Sequence, residues 1–212
     1  MNLLYPALRA DQLAPMVRVS LVCALVAGAY GALHDQISYA ISPEYFTKLK
    51  VHQFAYADFG WPPRAFASAV GFLGTWWVGL LAGWFLSRAG LVELPPERRR
   101  RCLLRAFGLV LFGAAAGGLA GATVGVVTTR DGDLRGWQHW RTEIGIEDLR
   151  GFAIVAQLHA GGYLGALAGA AFAFVDVRRQ RTRLRTEAGA PGHEPPSAAT
   201  PAPSRPPPPQ HP

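Results

Sequence analysis

The sequence predicts an all-α fold, a polytopic bundle of four transmembrane helices with a short interfacial helix in the first outer loop. Three observations predict it. Only 17% of the 212 residues are charged, against roughly 25% in soluble domains. Four stretches, Val19–Leu33, Ala65–Ser87, Ala106–Thr129 and Gly151–Val175, contain no Asp, Glu, Lys or Arg, and the last three run 23, 24 and 25 residues. A helix needs about 20 such residues to cross a bilayer, whereas a β-barrel would show strands of about 10 residues with alternating polarity. Finally, the basic residues segregate by loop.

The first span covers about 17–35. Its uncharged core is the shortest of the four, and Ala27-Gly28-Ala29 also fits the small-x-small cleavage site of a signal peptide. A long polar loop follows. Within it Ser42-Pro43-Glu44 reads as a helix start, with Ser as N-cap and Pro in the first turn. Tyr45, Phe46 and Leu49 give that short helix one apolar face, suited to lying at the membrane interface. Trp61 suits the headgroup level before the second span, about 64–86. Pro95 and Pro96 mark a tight turn ahead of Arg98–Arg101 and the third span, about 103–127. Glu147 and Asp148 close a second polar loop and complement the positive N-terminus of the fourth span, about 151–175.

Beyond it the composition changes. Arg178, Arg179, Arg181, Arg183 and Arg185 are followed by a stretch, 186–212, that holds 10 of the 17 prolines. The organisation expected is a four-span domain over 1–178 and a cytoplasmic tail over 179–212, Arg-rich then Pro-rich, with too few apolar side chains to fold.

The two ends and the middle turn together carry 14 basic residues and the two long loops carry seven. The positive-inside rule then places both termini in the cytoplasm and both long loops outside. This segregation accounts for the net charge of +7. Nucleic acid is not an expected partner, because no aromatics interleave with the basic clusters. Membrane lipid is the expected partner, together with a protein partner or a second copy of the chain. Cys23 and Cys102 sit toward the cytoplasmic side, where a structural disulfide is not expected.

Helices in lipid associate through small residues that let backbones approach. Gly113, Gly117, Gly121 and Gly125 form one such series and Gly161, Gly165 and Gly169 another. Gly71, Thr75, Gly79 and Gly83 mark the second span, and Ser20, Ala24, Gly28 and Ala32 the first.

The chemistry concentrates where the first span meets the outer surface, in His34-Asp35-Gln36 and Glu44-Tyr45-Phe46-Thr47. The functional candidates are His34, Asp35, Gln36, Glu44, Tyr45, Thr47 and His159. His159 lies inside the fourth span, in its outer half. An ionisable residue there faces the protein interior and is by default a functional residue. The first helix runs outward and the fourth inward, so His34 and His159 end on the same side. Two imidazoles with the carboxylates of Asp35 and Glu44 would suit a divalent transition metal, Zn²⁺, Fe²⁺ or Mn²⁺. A proton relay or acid–base pair would use the same groups. The purely structural alternatives are a satisfied interhelical hydrogen bond at His159 and helix-end contacts at His34, Asp35 and Glu44.

The His34-Asp35-Gln36 element followed by Glu44-Tyr45-Phe46-Thr47 resembles the signature of a family of uncharacterised small bacterial multi-pass membrane proteins. The resemblance covers this stretch and, loosely, the multi-span layout. It implies a location in a bacterial inner membrane and singles out these residues, and it implies no reaction and no established cofactor. Three functions follow as expectations. The first is a membrane protein whose outward polar cluster binds a small ligand, an ion or a partner subunit. The second is a metal-dependent membrane enzyme using His34, Asp35, Glu44 and His159. The third is a small transporter or channel, disfavoured by the lack of charge at mid-bilayer depth and of Pro-broken spans.

Overall fold

The computed structural model describes residues 10–189. Among them every regular element is helical. Helices α1 (Ala10–Ile41), α2 (Pro63–Ala89), α3 (Pro96–Thr128) and α5 (Leu149–Gly189) are each long and apolar enough to cross a membrane. A short α4 (Gln138–Ile144) lies in the loop before α5. The bundle has a histidine end, formed by the loops after α1 and α3, and an arginine end, formed by the α2–α3 turn and the last turns of α5.

The surface is inverted relative to a soluble protein. Phe112, Leu119 and Leu164 are 75%, 72% and 69% exposed, while the contacts between helices are made by small residues. Burying large side chains gains nothing when the surroundings are as apolar as Leu, so close backbone packing takes over.

The helices associate as two tight pairs, α1 with α2 and α3 with α5, and the pairs touch each other more sparsely. Between α3 and α5 the two glycine series meet head-on. A methyl group on Gly113 would strike the carbonyl oxygen of Gly165, one on Gly117 that of Gly161, and one on Gly121 that of Gln157. Between α1 and α2, Gly31 faces Gly71, Cys23 faces Gly79 and Ser20 faces Gly83. The α1 stripe is therefore Ser20, Cys23, Ala27 and Gly31, not the strict four-residue series through Ala24, Gly28 and Ala32. Steps of four drift about 40° each on a helix of 3.6 residues per turn, and one step of three restores the line. Gly28 instead meets the ring of Phe72.

Helix ends depart from the expected spans. α1 continues through His34, Asp35 and Ser38 to Ile41, so the polar cluster is the end of a helix rather than the start of a loop. α5 continues through the Arg-rich segment to Gly189, so the expected boundary at 178/179 is not a structural break. The Pro-rich part of the tail lies outside the described residues. At the arginine end Glu93 accepts hydrogen bonds from Arg181 and Arg185, which ties the α2–α3 turn to α5.

The short helix of the first loop is present with a different character. Residues Tyr45–Lys50 form a π-helix, continued by one α-turn at Val51–Gln53. The Ser42 hydroxyl is buried without a hydrogen-bond partner, so it does not make the expected cap. The apolar face does not lie on the membrane surface either. Tyr45 and Phe46 are buried against Phe66, Val70 and Phe152, closing the mouth of the bundle.

Candidate functional site

Asp148 caps α5, its Oδ1 accepting the N–H of Gly151 at 2.9 Å. The cap fixes where α5 begins and so where His159 lies, ten residues on. The carboxylate of Glu44 straps the π-helix to the same point. It accepts the N–H groups of Glu147 (3.0 Å) and Asp148 (2.8 Å) and pairs with Lys48. Partial burial pushes the Glu44 carboxyl up, but the Lys48 ammonium and the two backbone donors outweigh it, and its pKa lies below the usual carboxylate range. Glu44 is thus committed to holding the loop and does not join the histidines, contrary to the expected ligand set.

That strap seats Tyr45 over His159. The two rings meet edge to face with centroids 4.9 Å apart, and Tyr45 Oη lies 3.1 Å from His159 Nδ1. Burial pushes the Tyr45 hydroxyl pKa up, so it keeps its proton. The i→i+5 register of the π-helix stacks Lys50 on Tyr45, with Nζ 5.4 Å from the ring centroid. Burial pulls the Lys50 ammonium pKa down.

The remaining groups come from the last turns of α1. Asp35 Oδ1 lies 3.2 Å from His34 Nδ1 and 3.3 Å from His159 Nε2. The imidazole rings of His34 and His159 are 5.0 Å apart. One ligand atom from each of His34, Asp35 and His159 falls within 4.8 Å of the other two. The side chains are 19%, 8% and 5% exposed, so the set is largely shielded from solvent. Ser38 completes it, its Oγ donating to the His34 carbonyl and lying 3.0 Å from His159 Nε2.

Two proton placements are open to His159. In one, Nε2–H is shared between Asp35 and Ser38 while Tyr45 donates to Nδ1. In the other, Nδ1–H donates to Tyr45 and Nε2 presents its lone pair beside the carboxylate. The second is what a metal-ligating imidazole requires, with its far nitrogen held by a hydrogen-bonding partner.

Gln36 and Thr47 go elsewhere. Gln36 Nε2 donates to the Arg64 carbonyl and to Ser68 Oγ, both at 2.8 Å, joining the end of α1 to the start of α2. Thr47 donates back to the Pro43 carbonyl, a bond within its own turn. Ser38 and Lys50 belong to the site and were not among the sequence candidates. Ser38 had a usable signal, since it stands one turn beyond His34 on the same face. Lys50 had none, because its approach depends on the π register. A recess of about 40 Å³ separates Lys50 from Asp35 and His159, enough for a water molecule by volume.

Comparison of the chain with protein-family models, with curated proteins and with solved structures finds no match.

Proposed function

We propose that this is an integral protein of a bacterial cytoplasmic membrane, with both termini in the cytoplasm, that binds a divalent transition metal ion through His34, Asp35 and His159 near its outward face. One observation carries the reading. Two imidazoles and a carboxylate, drawn from two helices, converge within 4.8 Å in a shielded position. With ligand bonds of about 2.0–2.2 Å, neighbouring donors of one metal stand roughly 3.0–3.5 Å apart. The separations of 3.2 and 3.3 Å about Asp35 lie in that range. Tyr45 orients His159, and the recess beside Lys50 has room for a water ligand. Glu44 is not part of the set. An outward ligand-binding role and a metal-dependent enzyme both start from this centre.

A second reading has its own support. His159 Nε2 already has Asp35 and Ser38 within hydrogen-bond reach, and these bonds link the two helix pairs. On that reading the cluster is a polar rivet and binds nothing.

Thermal unfolding in detergent separates the two. A ligand at 100 times its dissociation constant stabilises a fold by about 2.7 kcal/mol. Zn²⁺, Fe²⁺ or Mn²⁺ raises the melting temperature of the wild type but not of His34→Ala or His159→Gln. No shift with any of the three ions supports the rivet and overturns the metal reading.

A further inference from the structure

From Gly71 to Gly83 on α2 and from Gly151 to Gly169 on α5, every glycine but two is pressed against another atom. A methyl group on Gly71, Gly79, Gly83, Gly161, Gly165 or Gly169 would strike a neighbouring backbone, and one on Gly151 would strike the Asp148 carboxylate. At Gly74 it would meet nothing within 4 Å, and at Gly162 only ordinary contacts at 3.7 and 4.0 Å. These two glycines do not serve close helix packing. They face a cavity of about 130 Å³ to which all four long helices contribute.

The cavity begins at His34 and His159 and extends two turns toward the arginine end, to Ala27 on α1 and Ala166 on α5. Val78, Val110, Leu111 and Ala114, with the rings of Tyr30 and Tyr163, supply the other walls. The Thr75 hydroxyl is occupied by the Ala27 and Gly71 carbonyls, at 2.8 Å each. The imidazoles therefore have a polar side, toward Asp35 and Lys50, and an apolar side. A cavity with such walls stays dry and takes small apolar molecules; an engineered apolar cavity of comparable size takes benzene or xenon.

Two histidines and one carboxylate with open positions are the ligand set of non-haem ferrous centres that take dioxygen. We propose that the cavity is the seat of a small apolar gas of the dioxygen class, bound at the open face of a ferrous ion held by His34, Asp35 and His159. The inference rests on the metal reading of the same cluster and narrows it to iron. The recess beside Lys50 has room for water on the polar side, whereas the walls on the cavity side suit an apolar ligand rather than a polar substrate. Gly74 and Gly162 are the residues that keep the seat open.

Nitric oxide, a stable stand-in for dioxygen at ferrous iron, tests this on the anaerobic, iron-loaded full chain in detergent. The wild type gives the characteristic EPR signal of an iron–nitrosyl. The Gly74→Leu and Gly162→Val variants, which fill the cavity from positions that supply no ligand atom, keep their iron content but bind nitric oxide at least about tenfold more weakly. Xenon NMR on the chain stripped of metal reads the cavity alone, with an exchange shift in the wild type that Gly74→Leu abolishes. Equal nitric oxide affinity in the wild type and the filled variants, with iron bound in both, overturns the gas seat and leaves the metal reading standing. Xenon binding by a wild type that takes no ferrous iron overturns the iron assignment and with it the gas seat, leaving a dry cavity and, where Zn²⁺ or Mn²⁺ still binds, the metal reading. Absence of xenon binding overturns the cavity itself.

Discussion

At the scale of single residues the site works by division of labour between carboxylates. Asp35 faces the histidines, and Glu44 holds the loop that brings Tyr45 to them. Glu44→Gln keeps the shape but weakens the strap, with an expected cost of about 1 kcal/mol, the size of a lost helix cap. The sign of its pH dependence follows from its depressed pKa. The stabilisation is present above the unfolded carboxylate value, about 4.3, and is lost as pH falls through the lower folded value. The difference in melting temperature between wild type and Glu44→Gln should shrink toward zero below about pH 4, and chemical or thermal unfolding across pH 3–7 checks it. Tyr45→Phe removes the group that orients His159. Its expected effect is a loss of about 10–100-fold in metal affinity with the fold intact, measured by competition with a chromophoric chelator.

His34, Asp35 and His159 were legible in the sequence because ionisable groups are costly in an apolar span and must have a reason to be there. The fate of Glu44 was not legible. Its partners are backbone N–H groups more than a hundred positions away, and nothing local distinguishes a carboxylate that binds a metal from one that caps a helix.

At the scale of elements the spans were legible from their uncharged runs, and their ends were not. Hydropathy marks the thickness of a bilayer, and α1 and α5 extend beyond that thickness at the histidine and arginine ends respectively. The π-helix was hidden for a related reason. Tyr45, Phe46 and Leu49 form an apolar face on a helix in water, at an interface or in a core, and only the packing of Phe46 among Phe66, Phe152 and their neighbours decides which. The glycine series were legible as packing surfaces, but their register was only half so, as the shift to Cys23, Ala27 and Gly31 shows. The two kinds of glycine should respond in opposite ways. Gly161→Ala places a methyl group against the Gly117 backbone, and forcing the α3–α5 pair apart is expected to cost about 1–3 kcal/mol. Gly74→Ala meets open space and is expected to be neutral or stabilising by up to about 1 kcal/mol through reduced chain entropy. Paired melting curves in detergent read the contrast directly, and equal losses in the two variants would contradict the assignment of Gly74 to the cavity.

The whole molecule is two glycine-packed helix pairs laid side by side, linked by buried polar groups at the histidine end and by an apolar cluster with the Glu93 ion pairs at the arginine end. Asp35 and Ser38 on one pair meet His159 on the other, and the π-helix is strapped across the top by Glu44. A binding event there acts on both pairs together, whereas the arginine end is held by Glu93 with Arg181 and Arg185. On the proposed orientation, cysteines introduced at exposed positions 56 and 133 should be labelled from outside intact cells by a membrane-impermeant maleimide, and one at position 179 should not. Labelling at 179 alone would reverse the topology and put the metal centre near the cytoplasm.

The central claim, that this bundle holds a transition metal between its helix pairs, is tested most directly by elemental analysis of the detergent-purified protein beside His34→Ala and His159→Gln. The account predicts close to one transition metal ion per chain in the wild type and almost none in either variant. A folded wild type with no metal, or a metal content that both substitutions leave unchanged, would contradict it.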